Sequence, residues 1–366
     1  MTDPVDDRAA TPPDDLDPLR RAKELAEAEL LGRPGVSGID VGYKEVGGRR
    51  TDTLAIRVLV ERKSDDIGPE DRVPPAIEGF PTDVIERRFT LHGLSVQARE
   101  LAVNADSAWY PVVAGGVSIG PCRVVRNRVH AGSLASLVKD AATGKPLLLG
   151  NFHVLCVDNT WSDGDWIAQP SRLDAALRAD ALAGVLRRAT LGGEVDAAVA
   201  ELGERPADAS VLQVGSVAGV RAARLGDAVV KRGRTTRLTF GTIDSIHLTV
   251  ALDYGGEIGT VSLRNQVGVR ADVARNSLFA APGDSGALLV GADRHAVGMH
   301  VAGDDAGYGV ANPIRSVLDA LQVELWPPHL PAWPGSPAQV APPSGPSPVP
   351  WPFMGGPWVP SAGWWQ

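Results

Sequence analysis

From Val112 to about residue 325 the chain is cut by glycine every few residues, and the stretches between are short and rich in Val, Leu, Ile and Ala. Such segments are too brief for helices that bury a face. Short apolar runs separated by glycine turns instead predict an antiparallel barrel or sandwich. Ala135 to Val138 and Pro146 to Leu149 flank the turn Ala142-Thr143-Gly144, and Thr260 to Val269 reads as a longer strand. A second series starts near Ser210, so the region divides into two β units, 112–205 and 206–325. The stretch from Ser171 to Ala189 is ambiguous, because its Ala and Leu content favours helix locally.

Within this frame one loop carries chemistry. Pro282-Gly283-Asp284-Ser285-Gly286 runs straight into the apolar stretch Ala287-Leu288-Leu289-Val290. Gly283 permits a tight turn, so the amides of Gly283 and Ser285 can aim at one developing oxyanion. A serine hydroxyl needs a base before it attacks anything at neutral pH. Upstream, Leu147-Leu148-Leu149-Gly150-Asn151-Phe152-His153 places a histidine just past an apolar strand, and Glu194-Val195-Asp196-Ala197-Ala198-Val199 sets an aspartate among small apolar residues. A carboxylate in such surroundings is costly to bury unless paired. The order is His153, Asp196, Ser285, with gaps of 43 and 89 residues. His153 is the candidate base, Asp196 its orienting partner and Ser285 the nucleophile.

These motifs resemble those of the trypsin-like, chymotrypsin-fold serine peptidases, whose template spaces the same three residue types by about 45 and about 93. Asn151-Phe152-His153-Val154-Leu155 resembles the histidine segment of bacterial members and of the plant narrow-leaf protease. Val195-Asp196-Ala197-Ala198-Val199-Ala200 resembles the family's aspartate strand. Lys231-Arg232-Gly233-Arg234-Thr235-Thr236 followed by Thr239-Phe240-Gly241-Thr242-Ile243 is similar to a hairpin of bacterial members, with Arg237 where glycine is usual. The likeness spans roughly 112–322. It implies two six-stranded-type antiparallel β-barrels, a strand ahead of Asp196, a terminal helix capped by Asn312 and Pro313, and endopeptidase activity through an acyl-enzyme on a protein or peptide substrate, with no cofactor and no metal.

The resemblance also places a substrate pocket. Val297 to Gly303 matches its lining strand, with His300, Val301 and Gly303 at the wall. Phe279 stands where trypsin-type members carry an aspartate, which argues against an Arg or Lys preference. Met299-His300 with Gly303 resembles the strand of glutamate-specific members, in which the histidine contacts an acidic side chain; Ala280 replaces the hydroxyl those members add. A pocket for small apolar side chains, with His300 structural, is the other reading. The remaining histidines, His92, His130, His247, His295 and His329, lack ligand spacing and read as surface or incidental. A different class stays open beside the peptidase, a catalytically silent trypsin-fold binding or scaffold protein.

Before the barrels, residues 1–16 read as a disordered lead, being acidic and proline-rich. Asp17-Pro18 starts a helix ending near Leu31. Val36 to Val46 and Thr53 to Arg62 form a hairpin about Gly47-Gly48, and Thr82 to Phe89 adds a third strand. Residues 17–90 are therefore expected to form a small α+β domain, covered by the helix and joined by a 91–111 linker to the barrels. A propeptide-like chaperone, an inhibitor, a docking module and a simple packing partner are all open for it. At the other end, residues 327–366 contain no Lys, Arg, Asp or Glu and hold thirteen of the 29 prolines; 326–366 holds six of the nine tryptophans. This tail reads as disordered, or as a segment whose tryptophans dock on a protein partner.

Formal net charge is −8, against nonspecific nucleic-acid binding. No apolar run reaches membrane-helix length, so no membrane span is expected. The first residues lack the basic and apolar parts of a secretory signal, which predicts a cytoplasmic protein. A bridge between Cys122 and Cys156 is conceivable, but two reduced thiols suit that compartment better.

Overall fold

The second unit closes on itself. In the computed structural model, which describes residues 16–64, 66–97, 105–175 and 179–327, six strands of this unit pair in a ring. Ala228–Gly233 pairs with Arg237–Asp253, which pairs with Thr260–Ala271, then Gly309–Pro313, His295–Gly303 and Leu288–Gly291, and the last returns to Ala228–Gly233. Every pairing is antiparallel, so no strand edge along the ring is left over except where a strand overhangs its neighbour. Glycines at the turns and β-branched residues between them supply the geometry that the sequence pattern calls for.

The first unit is a nine-stranded sheet in the order Val323–Leu325, Ser136–Asp140, Pro146–Gly150, Val195–Leu202, Leu182–Gly192, Trp166–Ala168, Ser118–Pro121, Arg128–Ser133 and Leu94–Gln97. Its interior is filled by Ile119, Leu134, Leu148, Leu186 and Ala198, all fully buried. The ambiguous stretch resolves into a one-turn helix, Arg172–Ala175, a 3₁₀ turn and the strand Leu182–Gly192. Among the described residues local helix preference survives at the start of the stretch, and from Leu182 ladder pairing with Val195–Leu202 overrides it. Overall the protein is mostly β, as a trypsin-like double barrel is.

The segment ahead of the barrels has the expected elements in an unexpected place. The helix Asp17–Leu31 carries proline at its first turn. The strands Val36–Val46 and Arg49–Val60 form the hairpin, with Gly47 and Gly48 both at positive φ. The third strand, Phe80–Glu86, runs parallel to Arg49–Val60. This sheet does not stand alone. Val36–Val46 pairs with Arg237–Asp253, Gly38 opposite Val250 and Gly42 opposite Ser245, so the N-terminal strands prolong the sheet of the second barrel. Leu19, Ala22 and Leu30 of the helix share one core with Ile39, Val58, Ile243 and Val269.

Arg57 fastens the two parts. It is 2 % exposed, and its guanidinium reaches Asp40 at 2.7 Å and, across to the barrel, Asp244 at 3.0 Å. Ser245 also donates to Asp40, at 2.6 Å. Burial opposes charge on Asp244, but Arg57 and Arg270 more than offset it and hold its carboxyl well below the usual range. Because the folded-state value is depressed, this contribution is fully present above pH about 4 and is lost as pH falls below it. Replacing Arg57 with Met leaves Asp40 buried without its cation and Asp244 with Arg270 alone. The expected loss is about 3–5 kcal/mol, read as a lower urea midpoint at pH 7.

Two expectations need correction here. Asn312 does not cap the terminal helix Ile314–Leu321, whose first turn has no side-chain cap. It sits fully buried in the strand Gly309–Pro313, where its amide serves the Asp196 backbone and Gln266 instead. Part of the 91–111 stretch is also ordered structure rather than linker, since Leu94–Gln97 pairs with Arg128–Ser133. Cys122 and Cys156 are both free thiols. No described helix is long and apolar enough to cross a membrane. The proposed lead, apart from Leu16, and nearly all of the Pro/Trp-rich tail lie outside the described residues.

Candidate active site

Each of the three candidate residues sits where a strand of one unit meets the other. His153 lies in the one-turn helix Phe152–Leu155, directly after the strand Pro146–Gly150. Asp196 is the second residue of Val195–Leu202. Ser285 is in the turn before Leu288–Gly291. Although 132 residues separate them, His153 Nε2 is 2.8 Å from Ser285 Oγ. On the other side of the ring, His153 Nδ1 is 2.5 Å from Asp196 Oδ2. The backbone N–H of His153 donates to Asp196 Oδ1 at 3.3 Å. A carboxylate on Nδ1 fixes the tautomer that leaves Nε2 facing the hydroxyl.

Asp196 is fully buried, and its surroundings compensate for that. Tyr254 donates its hydroxyl to Oδ2 at 2.7 Å and presents its ring edge to His153, centroids 6.1 Å apart. Asn312 accepts the Asp196 backbone N–H at 3.0 Å, and Asn151 donates to its carbonyl at 2.7 Å. Burial raises the Tyr254 pKa well above its ordinary value, with the Asp196 charge acting in the same direction, so the phenol keeps the proton it donates.

Asp284, for which the sequence offers no role, is the anchor of the serine turn. Its carboxylate is wholly buried and accepts from the amides of Thr235 (2.8 Å), Thr236 (3.1 Å) and Ala281 (3.1 Å) and from the Thr236 hydroxyl (2.6 Å). Lys231 Nζ, equally buried, lies 3.1 Å away. Burial works against the Asp284 charge, yet Lys231 and the Thr236 bonds outweigh it and lower the pKa. Burial likewise lowers that of Lys231, with Asp284 opposing. Gly283 takes φ +101°, and a Cβ there would run into Thr235, so only glycine fits the turn.

The two amides proposed to face an oxyanion both point at one oxygen, the carbonyl of His92. Gly283 N–H donates at 2.5 Å and Ser285 N is 3.4 Å away. His92 is 2 % exposed, which overturns its reading as an incidental surface residue. Its Nδ1 is 3.0 Å from His300 Nε2. Burial lowers the His92 pKa to about 4 and puts that of His300 well below its ordinary value, so the pair is neutral at pH 7 and one ring donates to the other.

The pocket residues fall into two groups. His300 and Gly303 meet the His92 ring, and a Cβ on Gly303 would collide with it. Phe279 backs His300 edge-on, centroids 6.5 Å apart. Val301 contributes its backbone, taking the His92 N–H at 3.2 Å and the Ser285 hydroxyl at 2.9 Å, while its side chain packs with Leu59, Leu248 and Tyr308. The Ala280 methyl faces the shared barrel core. Among the described residues, no group of three or more His, Cys, Asp and Glu side chains is placed to hold a metal ion.

Tyr254, His92 and the Lys231 ammonium escape a sequence reading. Tyr254 follows a strand with no motif around it, and Lys231 is indistinguishable in sequence from a surface lysine. No protein-family model and no curated protein matches the sequence. Among solved structures the chain is similar to a Nocardiopsis protease (20% identity, TM-score 0.41, 58% of this chain and 98% of that one). It is also similar to Thermobifida fusca protease A (21%, 0.42, 58% and 98%). A third is a glutamic acid-specific serine protease described as using a histidine triad in substrate binding (23%, 0.43, 58% and 100%). Each of the three covers 58% of this chain, and the double-barrel reading stands on the chain's own strand pairing.

Proposed function

We propose that this chain is a serine endopeptidase that hydrolyses peptide bonds of a protein or peptide substrate through an acyl-enzyme. One observation carries the reading: the unbroken line Ser285 Oγ, His153, Asp196, with contacts of 2.8 and 2.5 Å, set beside two amides that converge on a carbonyl oxygen. In that arrangement His153 takes the serine proton as Ser285 attacks the carbonyl carbon. Asp196 holds the tautomer and stabilises the imidazolium that forms. The amides of Gly283 and Ser285 bear the oxyanion, and His153 then returns the proton to the leaving nitrogen. Water repeats the sequence on the ester.

The test is covalent labelling by a fluorophosphonate together with hydrolysis of a peptide library. Labelling and turnover that vanish in Ser285→Ala support the proposal, and neither occurring in the wild type rejects it. Tyr254→Phe deletes one charge-assisted bond to Asp196 at little change in shape. It is expected to lower kcat about tenfold, the loss coming from a hydrogen bond of about 1.5 kcal/mol. Steady-state kinetics check this.

A second reading, a trypsin-fold binding or scaffold protein without turnover, is favoured by one observation: residues of the chain itself fill the cleft. It predicts an unlabelled wild type.

A further inference from the structure

The chain lies in its own cleft as a peptide would. On one side of the junction, Thr90 and Leu91 pair antiparallel with Gly303 and Ala302. On the other, Leu94–Gln97 pairs antiparallel with Arg128–Ser133 of the first barrel, Leu94 opposite Ala131 and Val96 opposite Val129. Strand addition on both walls is how extended peptides are commonly held, with backbone bonds fixing register and side-chain pockets choosing sequence. Between the two ladders lie His92 and Gly93.

Every contact at this junction matches what hydrolysis of the proposed type needs. The His92 N–H donates to Val301. Its carbonyl oxygen receives Gly283 and sits 3.4 Å from Ser285 N. Its imidazole fills the space over Gly303 and meets His300 at 3.0 Å. Gly93 lies against the base: a Cβ built on it would come within 3.0 Å of His153 Nε2, so a glycine is what lets the chain pass there. Upstream, Arg87 holds the segment to the barrel through Asp304 at 3.2 Å and by stacking over the Tyr308 ring.

We propose that the His92–Gly93 peptide bond is cut by the chain's own site, in cis. The inference rests on the peptidase reading and names that site's first substrate. Ser285 Oγ bonds to the His92 carbonyl carbon while its proton passes to His153 Nε2. The C–N bond to Gly93 then breaks, and the same proton leaves on the new Gly93 amine. A water molecule hydrolyses the His92 ester, which gives a His92 carboxylate and restores the Ser285 hydroxyl. Residues 16–92 stay docked through the pairing of Val36–Val46 with Arg237–Asp253 and through Arg57. The pocket, having taken His92 between His300 and Gly303, accepts a neutral imidazole-sized side chain before the scissile bond.

Full-length protein is purified as wild type and as Ser285→Ala, and each is followed by intact mass and N-terminal sequencing. The expected result is a wild type split into two pieces, one beginning at Gly93, at a rate independent of protein concentration, with Ser285→Ala intact. His92→Trp, too large for the space over Gly303, is expected to slow the split about 100-fold, the effect of misplacing a reacting group by about 1 Å. Circular dichroism confirms that its fold is kept. A wild type still whole at 92–93 overturns the proposal. If that same protein hydrolyses library peptides, the peptidase reading stands without it; if it hydrolyses none, both fall. Cutting of Ser285→Ala alone, or a rate that rises with concentration, also overturns cleavage in cis.

Discussion

Ser285→Ala is expected to abolish peptide hydrolysis, with kcat falling by about 10⁶, while the urea midpoint hardly moves. The magnitude follows from how such residues act together. Removing the nucleophile alone forfeits nearly all that the acid–base system contributes, because the imidazole then has no group to activate, and only the amides and substrate binding are left to work. Stability is spared because, among the described residues, the serine hydroxyl hydrogen-bonds with His153 and the Val301 carbonyl, neither of which is stranded as a buried charge by its loss. Single-turnover measurements on a library peptide, paired with denaturant titration, separate the two effects. A variant that keeps more than about a thousandth of the wild-type rate would assign the hydrolysis to another group.

The second large effect is expected at Lys231→Met, which removes the cation and keeps roughly the same volume. Asp284 is then charged, wholly buried and held only by neutral donors. Breaking such a pair from one side is expected to cost about 3–5 kcal/mol. Activity should fall further than the unfolded fraction explains, because the Asp284 carboxylate ties the Ala281 amide to those of Thr235 and Thr236, and this tie fixes the turn that aims Gly283 and Ser285. Unfolding midpoints and kcat, taken below the variant's unfolding transition, are the measurements. If kcat were normal in the folded fraction, the pair would be a packing device with no bearing on the turn.

How much of this was legible in sequence depends on distance along the chain. The two barrels show in the spacing of glycines and apolar runs, because most of their strands have one partner that is next to them in sequence. His153, Asp196 and Ser285 show because each carries a local signature: a polar residue just after a strand, a carboxylate among alanines, a serine between glycines. Tyr254 and Lys231 do not, since their roles arise only from partners 58 and 53 residues away. His92 is the plainest case. Nothing near it in sequence marks it, and its place is set by strand pairing with Ala302 and Gly303 some two hundred residues on. The hairpin at Gly47-Gly48 was legible for the opposite reason, but the strand it lies against was not, because a period-2 pattern names a covered face without naming its cover.

The pairing of Val36–Val46 with Arg237–Asp253 has a consequence for how the protein is made. A ribosome adds roughly 5–20 residues per second. The hairpin therefore leaves the tunnel roughly 10–40 s before the strand that borders it exists, since about 200 residues intervene. Throughout that interval Ile39 and Val41 line an edge with nothing beside it, and Arg57 has Asp40 but not yet Asp244. Such an edge invites pairing with other nascent chains. A holding chaperone on the first sixty residues should therefore raise the yield of native protein, and faster translation of the barrels should do the same by shortening the wait.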